Sequence, residues 1–225
     1  MRQRWSDLLF LHWEVEAEQI AKTLPPDLTL DTFEKRAFLG IVPFKMEKIR
    51  PCGLPPVPGL SWFLELNLRT YVYDKNGRPG VWFYSLDANQ PVAVKLAQQL
   101  FHLPYQHAEM SATSTENGLL YNCRRKPDEQ TATYCYRGQG VEKNATPGTL
   151  EFFLLERYLL FSTDQRGQLK IGQVHHPPYP FQNASCEPFS VLPFTWNDFL
   201  EPKEPPSSIL YSPGVDVEVF PLHTA

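Results

Sequence analysis

The chain reads as mostly β (α+β), a single domain over residues 1–225 with two or three short helices. Three observations predict this. Apolar residues recur with period two over most of the length, turn signals separate the repeats, and twenty-two prolines gather mainly into clusters between them. Proline lacks an amide donor, so the clusters at 25–26, 51–58, 177–180 and 202–206 end elements and lie outside central strands. With 42% hydrophobic and 13% aromatic residues, the chain has ample material for a sizeable core.

In chain order, Val15, Ala17, Ile20, Ala21 and Leu24 make a short amphipathic helix that Pro25 stops. Strands are expected over 28–32 and 37–43. The clearest strand covers 61–73. Its even positions, Trp62, Leu64, Leu66, Leu68 and Val72, form an apolar face, and its odd positions, Phe63, Glu65, Asn67, Arg69, Tyr71 and Tyr73, a polar and aromatic one. A strand over 80–85 precedes a helix over 90–101, with Pro91 in its first turn, where a missing amide costs little. Further strands are expected over 107–113, 118–124, 131–136, 158–163, 169–174 and 215–220, with a short helix near 149–156. Asp74-Lys75-Asn76-Gly77, Glu116-Asn117-Gly118 and Asp164-Gln165-Arg166-Gly167 carry the turn chemistry between strands.

Composition excludes several function classes. A formal net charge of -4 with mixed signs offers no clustered basic face for nucleic acid. No apolar run reaches the roughly 18 residues that span a bilayer, and the basic start at Arg2 and Arg4 is followed by too short an apolar stretch for a secretory signal. The expectation is a cytoplasmic protein, with no nucleic-acid or membrane partner. Cys52, Cys123, Cys135 and Cys186 form no CxxC pair and are expected as free, mostly buried thiols. There is no GxSxG elbow, phosphate-binding glycine loop or dinucleotide fingerprint, and no cofactor is called for.

Leu86-Asp87-Ala88-Asn89-Gln90-Pro91-Val92-Ala93-Val94-Lys95, continuing to Leu103-Pro104-Tyr105, resembles the segment of acetoacetate decarboxylase that leads through a helix to its Schiff-base lysine. Three more segments match in order: 13–31, Phe63-Leu64-Glu65 and Val174-His175-His176. A closer resemblance is to an uncharacterised bacterial branch of this superfamily. It rests on Glu65-Leu66-Asn67-Leu68-Arg69-Thr70-Tyr71, Leu103-Pro104-Tyr105, Glu156-Arg157-Tyr158, His176-Pro177-Pro178-Tyr179-Pro180-Phe181 and Tyr211-Ser212-Pro213-Gly214-Val215-Asp216-Val217. The resemblance implies a partly open antiparallel β-barrel around a mostly apolar cavity, often assembled into homo-oligomers. It also implies a small organic molecule, such as a keto acid, as the ligand.

The resemblance assigns Glu65 to the family's active-site glutamate and puts Tyr105 where the catalytic lysine stands. Arg4 matches the family's carboxylate-holding arginine only across a small gap. A phenol cannot form an imine, but it can donate to an oxyanion or act as a general acid, so Tyr105 and Glu65 are the candidate catalytic pair. Lys95, on the helix, is the alternative amine; its plainer reading is a solvated helix-face residue. Asn67, Arg69 and Tyr71 share a face with Glu65 and are candidate ligand contacts, with an outward face or a structural ion pair as the alternative. His107, two residues beyond Tyr105, and His176 are further candidates. His175 and His176 point to opposite faces, and nothing in the histidine spacing demands a metal.

Overall fold

The computed structural model describes residues 1–126 and 129–224. The elements run β1 (Arg2–Val15), α1 (Ala17–Ala21), β2 (Leu28–Leu30), β3 (Ala37–Arg50), β4 (Phe63–Asp74), β5 (Pro79–Ala88), α2 (Pro91–Phe101), β6 (Tyr105–Thr115), β7 (Gly118–Arg125) and β8 (Ala132–Asn144). They continue with α3 (Leu150–Leu155), β9 (Leu159–Thr163), β10 (Leu169–His175), β11 (Pro180–Cys186), α4 (Leu192–Thr195), β12 (Ser208–Val219) and β13 (His223–Thr224).

Among the described residues the strands join one 13-stranded sheet in the order β13-β10-β9-β5-β6-β7-β8-β11-β12-β1-β3-β4-β2. Two extra pairings curl it: β4 also bonds to β5, and β10 to β12. The path from β5 through β6, β7, β8, β11, β12, β1 and β3 returns to β5 through β4. A second path crosses from β5 to β12 through β9 and β10. The result is two partly closed rings that share β12, β1, β3, β4 and β5. Pairing is antiparallel except where β5 meets β6 and β9. The crossover from β5 to β6 is made by α2, as parallel neighbours require a long connection.

The period-two pattern of β4 explains the arrangement. Its even residues Leu66 and Leu68 are fully buried in a filled core with Leu9, Leu11, Ile41, Tyr121 and Tyr134. Cys123 and Cys186 are buried in the same core, and all four cysteines are free. The odd residues Phe63, Glu65, Asn67 and Arg69 face the other ring, which is hollow.

β1 departs from expectation, because no strand is read before residue 28. Leu8, Leu9, Phe10 and Leu11 are all buried, since the strand is shared between both rings and has no solvent face to give an alternation. A register break and a positive φ of 50° at Asp7 also interrupt its period. β11 is a second unexpected strand. Its Pro180 stands at the first position, where a missing amide is tolerated, so the segment reads as a loop. The short α4 is not foreseen, α1 is shorter than its apolar pattern, and β12 begins earlier than expected because Pro213 and Gly214 interrupt it. Gly214 has φ 131°, and a Cβ there would lie 2.2 Å from the Trp5 carbonyl oxygen, so the close approach of β12 to β1 requires glycine.

Candidate functional site

The hollow ring encloses a cavity of about 430 Å³. Leu8 from β1, Val42, Phe44 and Met46 from β3, and Val174 and Val219 from β10 and β12 supply one wall. Val92, Ala93, Leu96, Ala97 and Phe101 from α2 close the other side, with Phe83, Leu86 and Leu160 beneath them. Helix α2 is fixed at its start by Gln90, whose side-chain oxygen accepts from the Val92 and Ala93 amides and whose nitrogen donates to the Gly59 carbonyl. One side chain thus caps the helix and ties it to the loop before β4. Asn89 accepts from the Leu64 amide at 2.8 Å and holds the turn between β5 and α2 to β4.

Polar groups enter this apolar volume mainly from β4. Glu65 is 3% exposed, and Tyr105, the first residue of β6, is 8% exposed. Tyr105 Oη donates to Glu65 Oε2 at 2.6 Å, and Asn67 Nδ2 lies 3.4 Å from Glu65 Oε1. Burial pushes the Glu65 carboxyl up from 4.5 to about 7, against the pull of the Tyr105 and Asn67 hydrogen bonds, and the nearby Asp87 charge adds to the rise. Burial and the Glu65 charge hold the Tyr105 hydroxyl protonated, well above the ordinary tyrosine range. Tyr105 is held in place by main-chain pairing with Leu86 and by Gln98 Nε2 donating to its carbonyl at 2.8 Å. Tyr121, rising from the filled core, donates to the Glu65 carbonyl at 2.8 Å and fixes the main chain behind the carboxylate.

Arg69 is the cation on this wall. Its Nη2 donates to the Leu154 carbonyl at 3.2 Å, and the guanidinium lies over the Phe10 and Tyr71 rings. Arg69 Nε and Asn67 Oδ1 are buried without a hydrogen-bond partner. Such orphaned groups in a cavity wall are candidate contacts for a polar ligand.

Glu65, Asn67, Arg69 and Tyr105 therefore meet in one cavity, whereas the other expected contacts lie elsewhere. Tyr71 is fully buried beneath α3, donating to the Leu154 carbonyl at 2.9 Å, with its oxygen 2.6 Å from His12 Nε2. Arg4 alternates with the cavity-facing Gln3 and Trp5, so it turns outward, 3.5 Å from Asp216. It lines a separate cleft with Arg2, Lys48, Arg50, His175 and His176. His176 packs between the Trp5, Tyr158 and Tyr179 rings, behind the wall rather than in it. Its Nδ1 lies 2.9 Å from the Pro177 carbonyl, and burial lowers its pKa. His107 is exposed: Leu86 and Tyr105, opposite each other in register, both line the cavity, but Ala88 and His107 do not. Lys95 is exposed on α2, between the lining residues Val92, Ala93, Leu96 and Ala97 and outside the wall.

Several residues of the motifs are structural supports. Asp87 turns away from the cavity and is fully buried in a two-pronged ion pair with Arg125, at 2.7 and 2.8 Å. Glu156 accepts from the Tyr179 amide at 3.0 Å and from the Tyr158 hydroxyl, which braces Tyr179 in the wall. Arg157 binds Asp31 at 2.7 Å and stacks on Phe153. The unforeseen participants Trp5, Leu8 and His12 all belong to β1. Gly40 fits against His12, since a Cβ there would stand 2.9 Å from the imidazole ring.

This architecture defines the structural class: the fold is that of acetoacetate decarboxylase-like proteins. An acetoacetate decarboxylase from Legionella pneumophila superposes with TM-score 0.66 at 16% identity, covering 100% of this chain and 87% of the other. The enduracididine biosynthesis enzyme MppR, complexed with the condensation product of pyruvate and imidazole 4-carboxaldehyde, gives 0.67 at 13% identity, covering 99% and 88%. An acetoacetate decarboxylase-like enzyme from Sphingomonas wittichii RW1 gives 0.66 at 10% identity, covering 100% and 92%. The chain belongs to the DUF2071 family, described as an uncharacterized conserved protein, whose model matches residues 2–216. It is 38% identical over 223 residues to the uncharacterized protein YqjF of Bacillus subtilis, covering 99% of this chain and 91% of that one. No helix among the described residues is long and apolar enough to cross a membrane.

Proposed function

We propose that this chain binds a small organic acid, of the keto acid class, in the hollow ring, with Tyr105 standing in place of an imine-forming lysine. The observation that carries the reading is the Glu65–Tyr105 hydrogen bond at 2.6 Å in an otherwise mostly apolar cavity. A carboxyl whose pKa is raised to about 7 is about half protonated at neutral pH, and in its protonated form it donates to a ligand oxygen instead of repelling it. Asn67 and Arg69 supply the remaining polar contacts, and the Arg69 charge favours an anionic head. The keto acid class is supported by the neighbours, which are described as acetoacetate decarboxylases or as MppR complexed with pyruvate.

The test is borohydride trapping alongside equilibrium binding, with a panel of 2-oxo and 3-oxo acids. The expected result is saturable binding without a covalent adduct, weakened about tenfold or more in Glu65→Gln and in Tyr105→Phe, each of which removes a buried hydrogen bond. An adduct on Lys95 or any other lysine would overturn the assignment of Tyr105. Absence of binding across the panel would overturn the ligand class.

A second reading, acid–base catalysis by the same pair, is favoured by the Glu65 pKa of about 7, which suits a group that takes and returns a proton near neutrality. Glu65 would remove a proton next to the ligand ketone, and Tyr105 would stabilise the resulting enolate oxygen by hydrogen bonding. The check is deuterium uptake at that carbon in heavy water. It is expected with the parent chain and lost in Glu65→Gln.

A further inference from the structure

The cavity is much larger than the polar site within it. At the ~30 Å³ that a water takes up in the liquid, a volume of about 430 Å³ holds on the order of fourteen non-hydrogen atoms. A three-carbon keto acid at the same ~30 Å³ per atom takes up roughly two fifths of it. The remaining volume is bounded by hydrocarbon: Leu8, Val42, Phe44 and Met46 on one side, Ala97 and Phe101 on the other. The polar lining groups besides those of the head site are few: Gln3, Arg50, Ser61 and the Trp5 and Tyr179 rings.

The mouth is apolar as well. Val57 and Leu60 from the loop before β4, with Val92 and Leu96 from α2, line the cavity while remaining 51%, 42%, 48% and 51% exposed. Scattered exposed apolar residues need no explanation, but these four converge on one opening, and Gln90 fastens their two segments together. A carboxylate meets a cation, Arg50, at the edge of this entrance but gains nothing from its apolar residues. An alkyl chain does.

We infer that the ligand is a medium-chain acid, with its oxygen-bearing head at Glu65, Tyr105 and Asn67 and an unbranched hydrocarbon tail filling the apolar part of the ring and its throat. The inference rests on the proposed reading of the head site and adds the tail. It specifies a substrate class with chains longer than pyruvate or acetoacetate. The transfer of each methylene from water into such walls strengthens binding about fourfold, as long as the cavity has room for it.

The experiment is a homologous series of straight-chain 2-oxo acids, from 2-oxobutanoate to 2-oxododecanoate, each below its micelle concentration. Binding to the full chain is read by calorimetry and by displacement of an apolar fluorescent probe. Affinity is expected to climb by about fourfold per methylene and then level off when the volume is full. Ala93→Phe adds a ring on the cavity-facing side of α2 and is expected to move the plateau to shorter chains. Retained far-ultraviolet dichroism shows that the variant is folded.

An affinity independent of chain length, with short acids still bound and then lost in Glu65→Gln, overturns the tail inference and leaves the head reading intact. A rise with length that is unaffected by Glu65→Gln and Tyr105→Phe supports the tail and overturns the head site. Failure of every acid to bind overturns both.

Discussion

At the scale of single residues, Glu65 carries the sharpest expectation. Its pKa is about 7 in the fold against an ordinary 4.5, so the folded chain holds this proton more tightly than the unfolded chain. The contribution to stability is therefore fully present below about pH 4.5 and is lost as pH rises through about 7, a change of roughly 3 kcal/mol. Urea midpoints taken at about pH 5 and about pH 8 are expected to fall with pH in the parent chain, and less in Glu65→Gln. An identical pH dependence in the two would remove Glu65 as its source. Burial raises the Asp87 pKa as well, but the Arg125 fork pulls against that rise and meets its charge. Asp87→Ala leaves a largely buried guanidinium without its partner and is expected to cost on the order of 3–5 kcal/mol, read as a lowered midpoint at neutral pH.

At the scale of elements, β4 was legible because its two faces differ: one meets a filled core and the other a cavity that takes charged groups. The same logic explains why β1 was not legible. A strand buried on both faces and broken by the bulge at Asp7 gives no period to read, so Trp5, Leu8 and His12 were missed together. Helix α2 was legible from Pro91 and its apolar spacing, and Gln90 gives it a test. Gln90→Ala removes the cap and the tie to Gly59, with an expected cost of about 1 kcal/mol. Because the tie spans the throat, ligand release is expected to quicken as well, measurable by stopped-flow displacement. Gly214→Ala places a methyl against the Trp5 carbonyl and is expected to lower the thermal midpoint by several degrees.

At the scale of the whole molecule, the resemblance conveyed the fold, and alternation on β4 conveyed which groups share a wall. Tyr71, His107, His176 and Arg4 lie outside the cavity, a placement sequence spacing does not reveal, since it says which face a residue takes and not what lies over that face. Helix α3 covers Tyr71, the wall ends before His107, and Arg4 points to a different cleft. The two rings also predict thiol behaviour. Cys52 is exposed and is expected to react with a disulfide reagent at once, while Cys123 and Cys186, inside the filled ring, react only on global unfolding. Burial also pushes the Cys186 thiol up to about 12, which leaves almost no thiolate to react at neutral pH.

The sharing of β4 between a packed ring and a hollow one has a consequence for how such a chain changes over time. Leu66 and Leu68 anchor the strand in the packed half, while Tyr121 fixes its main chain behind Glu65. The apolar residues of the hollow half still pack into clusters of their own, but polar tips that end in the cavity can be exchanged with less penalty to the framework than the packed leucines behind them. Tyr105 ends in one such tip: its main chain is secured by Leu86 and Gln98, its ring packs in a cluster with Leu86, Val94 and Leu103, and its hydroxyl meets Glu65. On such a plan a single codon can change the group offered to the cavity, while the packed half goes on assembling as before.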